Sequence, residues 1–181
     1  MNTQRRQHRI LGVAFILAIM LIGIFVSLMQ QKEEKSYFEY TEADVKMLGD
    51  FMWANIMYAK EFGTLKNATP EELEEAYKLS GSVVLHRLEA RISGETMREV
   101  IYAPGQYDAV LYSDFMINLE TTSEVYEWAE ELLKYGPQGP EGLIYEWFLK
   151  FRPDKPYREV CGIYFYEAEG ITKKVTGGKV N

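Results

Sequence analysis

Residues 69–88 read TPEELEEAYKLSGSVVLHRL, and the reading of this stretch governs what lies on either side of it. Thr69 is a natural N-cap, Pro70 suits the first helical position, and Glu72 stands three residues on to complete a capping box. Leu73, Ala76, Tyr77, Val84 and Leu88 then fall along one helical face. The stretch predicts a long helix with one buried stripe. Towards the N-terminus, Thr41 and Asp44 form a similar start, and Val45, Leu48, Met52, Ile56 and Ala59 recur at helical spacing before Gly63 offers a stop. Towards the C-terminus, Thr96 and Glu99 open a shorter helix running toward Tyr102, and Ala103-Pro104-Gly105 breaks it. Thr121 and Glu124 open another, with Val125, Trp128, Ala129, Leu132 and Leu133 on one face and Gly136-Pro137 as its end.

The periodicity then changes. Residues 142–148 and 162–166 are short β-branched and aromatic runs that predict strands, joined by a loop containing Pro153 and Pro156. Helices followed by a small antiparallel sheet make the class α+β. The very start of the chain differs again. Arg5, Arg6 and Arg9 precede residues 10–29, an uncharged run rich in Ile, Leu, Val, Phe and Met. About 20 helical residues span the hydrocarbon core of a bilayer. A basic leader favours retention of the N-terminus in the cytoplasm. The run is longer than the apolar region of a signal peptide and the residues at its end make a poor small-x-small cleavage site, so an uncleaved anchor is expected. The organisation read from the sequence is a cytoplasmic leader at 1–9, a transmembrane helix at 10–29, a tether at 30–40, a domain at 41–168 facing outside the cytoplasm, and a flexible tail at 169–181.

The 181 residues include 20 basic and 27 acidic ones, and all of the acidic residues lie beyond the apolar run. An acidic domain is a poor fit to nucleic acid, whose phosphates are bound through Lys and Arg. Cys161 is the single cysteine, so the domain is expected to hold by its core and not by an internal disulfide. Two distant histidines and one cysteine supply neither a metal cluster nor a Cys-His nucleophile pair, and no cofactor is expected.

Several blocks carry a resemblance. Val100-Ile101-Tyr102-Ala103-Pro104-Gly105-Gln106-Tyr107-Asp108-Ala109-Val110 resembles the VIYQPGQFSAV stretch of the spore-cortex-lytic (SleB/CwlJ-type) cell wall hydrolases. Val83-Val84-Leu85-His86-Arg87-Leu88 is similar to that family's VVLNRV. Residues 141–148 resemble its ALYFY strand, and residues 161–166 its closing GNHVFY strand. The blocks keep the family's order across 45–168. The resemblance implies a lysozyme-like domain, peptidoglycan as partner, and cleavage of the glycan strand, as a lytic transglycosylase or glycosidase, with one essential glutamate and no metal. Such a glutamate protonates the glycosidic oxygen and needs a raised pKa in a water-poor cleft.

The chain departs from the family at that residue. Where the family reads IYAEARGE, this sequence reads Ile56-Met57-Tyr58-Ala59-Lys60-Glu61-Phe62-Gly63, so Lys60 takes the place of the acid and Glu61 follows one position late. One residue on a helix turns a side chain by about 100°. Glu61 is therefore either the catalytic acid, turned into the cleft by an irregular helix end, or an exposed helix-end carboxylate. In the second case the domain binds or regulates without catalysis, or docks within a membrane complex. The resemblance implies sugar contacts for Gln106 and Tyr107 and a groove lined by Tyr58, Tyr102 and Tyr145, although aromatics at such positions commonly belong to a core. Glu71, Glu72, Glu74 and Glu75 read as first-turn charge favoured by the helix dipole, or as a replacement source of the acid. His86 reads as a structural hydrogen-bonding residue.

Overall fold

In the computed structural model, which describes residues 20, 36–61, 65, 67–107, 110, 114–147 and 155–168, the chain divides into units Met1–Lys35 and Ser36–Asn181. All the elements below lie in the second. They are α1 (Glu42–Glu61), α2 (Pro70–Glu89), α3 (Met97–Ile101), α4 (Asp114–Ile117), α5 (Ser123–Tyr135), β1 (Leu143–Trp147), β2 (Arg158–Val160) and β3 (Ile163–Glu167). The class is α+β, with five helices and a three-stranded antiparallel sheet among the described residues.

The caps read from the sequence are present where side chains can satisfy the free N–H groups at a helix start. Thr69 accepts from the Glu72 amide at 3.2 Å, and Glu72 reaches back to the Thr69 amide at 2.9 Å. Thr96 and Glu99 repeat the arrangement at α3. At α1, the Asp44 carboxylate accepts from both the amide and the hydroxyl of Thr41, at 2.8 and 2.6 Å. Helix α5 starts one residue later than expected. Thr122 is its N-cap, without a side-chain cap hydrogen bond, and the Thr121 hydroxyl donates to buried Asp50 at 2.9 Å.

Helix α1 is central. Its apolar spacing predicts one buried face, yet Leu48, Gly49, Asp50, Phe51, Met52, Trp53, Ala54, Asn55 and Ile56 are all buried. The helix packs against α2, α3, α4 and α5, so neighbours cover it on several sides. Close approach is permitted by Gly81 on α2. A Cβ there would stand 2.7 Å from Leu132 Cδ1 and 2.8 Å from Met52 Sδ, well inside contact distance.

The sheet runs in the order β1-β3-β2. Strand β2 occupies part of what the sequence suggests is a loop between two strands. It forms because Cys161 and Gly162, with φ of 52° and 82°, make a two-residue turn whose twist suits a hairpin, pairing Val160 with Ile163. Helix α4 has no counterpart in the sequence reading. The described part of the expected tether is docked. Tyr37 and Phe38 donate their amides to the carbonyls of Lys134 and Leu133 at the end of α5, and Phe38 lies in the core.

Among the described residues no helix is long and apolar enough to cross a membrane. The leader, the expected span apart from Met20, the stop at Gly63 and the tail at 169–181 lie outside the described residues.

Candidate active site

Three polar side chains occupy positions on otherwise apolar faces. Asn55 follows Leu48, Phe51 and Met52 on α1, Ser80 falls between Tyr77 and Val84 on α2, and Glu146 alternates with buried Ile144 on β1. They meet one another. The Asn55 amide nitrogen donates to Glu146 Oε1 and to Ser80 Oγ, both at 2.7 Å, and the Ser80 hydroxyl donates to Glu146 Oε2 at 3.0 Å. Asn55 and Ser80 are buried, while Glu146 as a whole residue is half-buried.

Protein packed around the Glu146 carboxyl pushes its pKa up to about 8, against the opposing pull of the hydrogen bonds from Ser80 and Asn55, which favour the charged form. At neutral pH this glutamate therefore carries a proton. A carboxylic acid that is protonated at pH 7 and held in one orientation by two donors has the protonation state that general acid catalysis needs.

Tyr107 stands close by on the loop after α3. Its ring meets Phe51 edge-on at 4.7 Å, and its phenol pKa is raised by burial and by Glu146, with Arg87 acting in the opposite sense. The Arg87 guanidinium lies 6.0 Å from the centre of the Tyr107 ring. It donates from Nη1 to the Ile144 carbonyl at 3.3 Å and from Nη2 to Ser93 Oγ at 2.8 Å. Neither Arg87 Nε nor the Tyr107 hydroxyl has a partner among the described residues.

A second buried cluster lies further along α2. His86 Nε2 meets the Gln138 carbonyl at 2.9 Å, its Nδ1 is 3.5 Å from Glu89 Oε2, and the Tyr37 hydroxyl donates to Glu89 Oε1 at 2.6 Å. This ties α2 to the segment before α1 and to the loop after α5, in keeping with a structural role for His86. Among the described residues, no group of three or more His, Cys, Asp or Glu is placed to hold a metal ion.

The residues expected from the sequence are distributed unevenly around this site. Glu61 is the exposed last residue of α1, next to exposed Lys60, so it lacks the dry surroundings that its expected role requires. Gln106 is exposed, with its amide bonded to the Ala103 carbonyl at 3.2 Å. Tyr102 is exposed too, with the Arg98 guanidinium 5.2 Å from its ring centre. Tyr58 and Tyr145 are half-buried. Strand alternation turns Tyr145 to the face opposite Glu146. Among the six, Tyr107 has Glu146 acting on its phenol. On α2, Glu72 closes the capping box, Glu75 pairs with Arg158 at 2.6 and 2.9 Å, and Glu74 pairs with Lys78 at 2.8 Å. These contacts accord with the surface reading of that acidic run.

Glu146, Asn55 and Ser80 did not stand out in the sequence. Their common signal was a polar residue at an apolar beat of each pattern, visible three times but with nothing local to say that the three would converge. No family model matches the chain, and neither does any curated protein or solved structure.

Proposed function

We propose that this chain is a membrane-anchored, peptidoglycan-directed protein whose lysozyme-like domain, of the spore-cortex cell-wall-hydrolase type, cleaves the glycan strand with Glu146 as its general acid. The anchor is the apolar run at 10–29, with the N-terminus in the cytoplasm and the domain outside. The observation that carries the catalytic part is the half-buried Glu146 carboxyl, protonated at neutral pH and oriented by Asn55 and Ser80. Its proton passes to the glycosidic oxygen as the bond to the anomeric carbon breaks. In a lytic transglycosylase, a hydroxyl of the same sugar then bonds to that carbon and returns its proton to the Glu146 carboxylate. One residue thus acts first as acid and then as base. Support for peptidoglycan as substrate is the resemblance in residues 45–168. Strand β1, which holds Glu146, falls within one of its blocks.

A second reading keeps the wall-facing location and removes the chemistry. It is favoured by Lys60 at the family's acid position and by the exposure of Glu61. Incubating the purified full-length chain, in detergent, with sacculi separates the two. Release of soluble muropeptides is the expected result, and intact sacculi with bound protein would leave only the binding module.

A further inference from the structure

Arg87 is 4% exposed, and the two acceptors it reaches, a backbone carbonyl and a serine hydroxyl, are both neutral. Among the described residues no carboxylate pairs with it. Glu146 accepts from Asn55 and Ser80, and Glu89 accepts from Tyr37. A buried cation without a counter-ion is costly unless something completes it. The ring of Tyr107 offers one face to the guanidinium, but this leaves Nε–H unused. The Tyr107 hydroxyl is unused as well, although the residue is only 9% exposed. Two buried donors, one of them on a positive charge, therefore stand without acceptors among the described residues, and Glu146 is close enough to Tyr107 to act on its phenol.

We infer that Arg87 and Tyr107 form a receptor for a carboxylate on the ligand of the Glu146 site. Resting on the glycan reading above, the group is the lactyl carboxylate of a muramyl residue from which the stem peptide has been removed. The guanidinium neutralises its charge and donates through Nε–H, and the phenol donates a second hydrogen bond. Carboxylate is favoured over a neutral carbonyl because it supplies both the missing negative charge and enough lone pairs for two donors. The protonated Glu146 adds no repulsion. The arrangement selects peptide-free stretches of strand, because an amide-linked stem peptide removes the negative charge from that position.

The test is calorimetric titration at pH 7 of the full-length chain in detergent micelles. One ligand is peptide-free glycan strand with its lactyl carboxylates intact, and the other is the same strand with those carboxylates reduced to alcohols. Wild type should bind the carboxylate strand about tenfold more tightly, the scale of one charge-assisted contact. Tyr107→Phe keeps the ring against Phe51 and Arg87 and should lower that preference about threefold or more. Without ligand its melting temperature should hold or rise, since an unpaired buried hydroxyl is removed. Arg87→Gln, which removes the positive charge, should abolish the preference, with the melting temperature of the variant recorded alongside. Equal affinity for the two strands, binding of neither, or a preference unchanged in Tyr107→Phe would overturn the inference. Muropeptide release from sacculi by the same preparation reports on the cleavage reading separately. Release without the preference sinks the receptor alone, and the preference without release sinks the chemistry alone.

Discussion

Two glutamates separate the ends of this molecule's chemistry. Glu61 closes α1 in open solvent beside Lys60, and Glu146 sits on the inward face of β1 under two hydrogen bonds. They are the same residue type, yet one is an exposed side chain at a helix end and the other an acid whose pKa is pushed up to about 8 by the protein around it. Proximity to a family motif favours the first, and the physical requirement for proton donation at neutral pH favours the second. The role of a carboxyl follows from the solvent it has lost.

The sharpest way to break this comparison is to neutralise each glutamate in turn. Glu146→Gln retains shape and hydrogen-bonding capacity but not the proton, so muropeptide release should fall by about 10²–10⁴-fold. Glu61→Gln should leave the rate close to wild type. The reverse pattern would return the catalytic role to the end of α1.

Stability against pH tests the same contrast without a substrate. Unfolded, Glu146 releases its proton near the ordinary glutamate value of 4.5, and folded it does so at about 8. Between these values the unfolded chain holds fewer protons than the folded one. Its contribution is therefore fully present below the lower value, declines as pH rises through the window, and is lost above the upper one. At about 1.4 kcal/mol per pKa unit, the decline amounts to a few kcal/mol. Denaturant midpoints recorded from pH 4 to 9 should show this slope in wild type and a flatter one in Glu146→Gln. A flat wild-type profile would mean that the carboxyl is better hydrated than its surroundings indicate.

A smaller effect comes from the cluster itself. The Ser80 hydroxyl favours the charged carboxylate, so Ser80→Ala should move the Glu146 titration to higher pH and cost about 1 kcal/mol of stability. An unchanged titration, followed by the carbon resonance of the carboxyl group, would show that Asn55 alone orients the acid. The smallest expected change is in Glu61→Gln, whose stability should stay within about 0.5 kcal/mol of wild type, as befits an exposed position. A larger loss would reveal a contact for Glu61 that its exposure does not suggest.

Much of the scaffold was legible because its signals are local. The boxes at Thr69/Glu72 and Thr96/Glu99 need only three residues to close, and the ends at Gly136-Pro137 and Ala103-Pro104-Gly105 follow from backbone chemistry that neighbours cannot change. Strand β2 was missed because a three-residue run exists only by pairing with β3, and α4 because four residues carry no period. The docking of Tyr37 and Phe38 onto α5 depends on a surface made by distant residues. Of the candidate site, Tyr107 was legible through the resemblance, whereas Glu146 was hidden in an aromatic run that read simply as strand.

Local chain chemistry carried the starts of α2 and α3, the end of α5, the passage from helices to strands, and an acidic domain behind a basic, apolar start. Only folding brings Asn55, Ser80 and Glu146, separated by 25 and 66 positions, into one hydrogen-bonded cluster, and buries Arg87 over Tyr107 with no carboxylate paired to it among the described residues. Capping and turn formation are settled by contacts a few residues apart. Desolvation is a sum over everything packed around a group, and no local stretch of chain contains that sum.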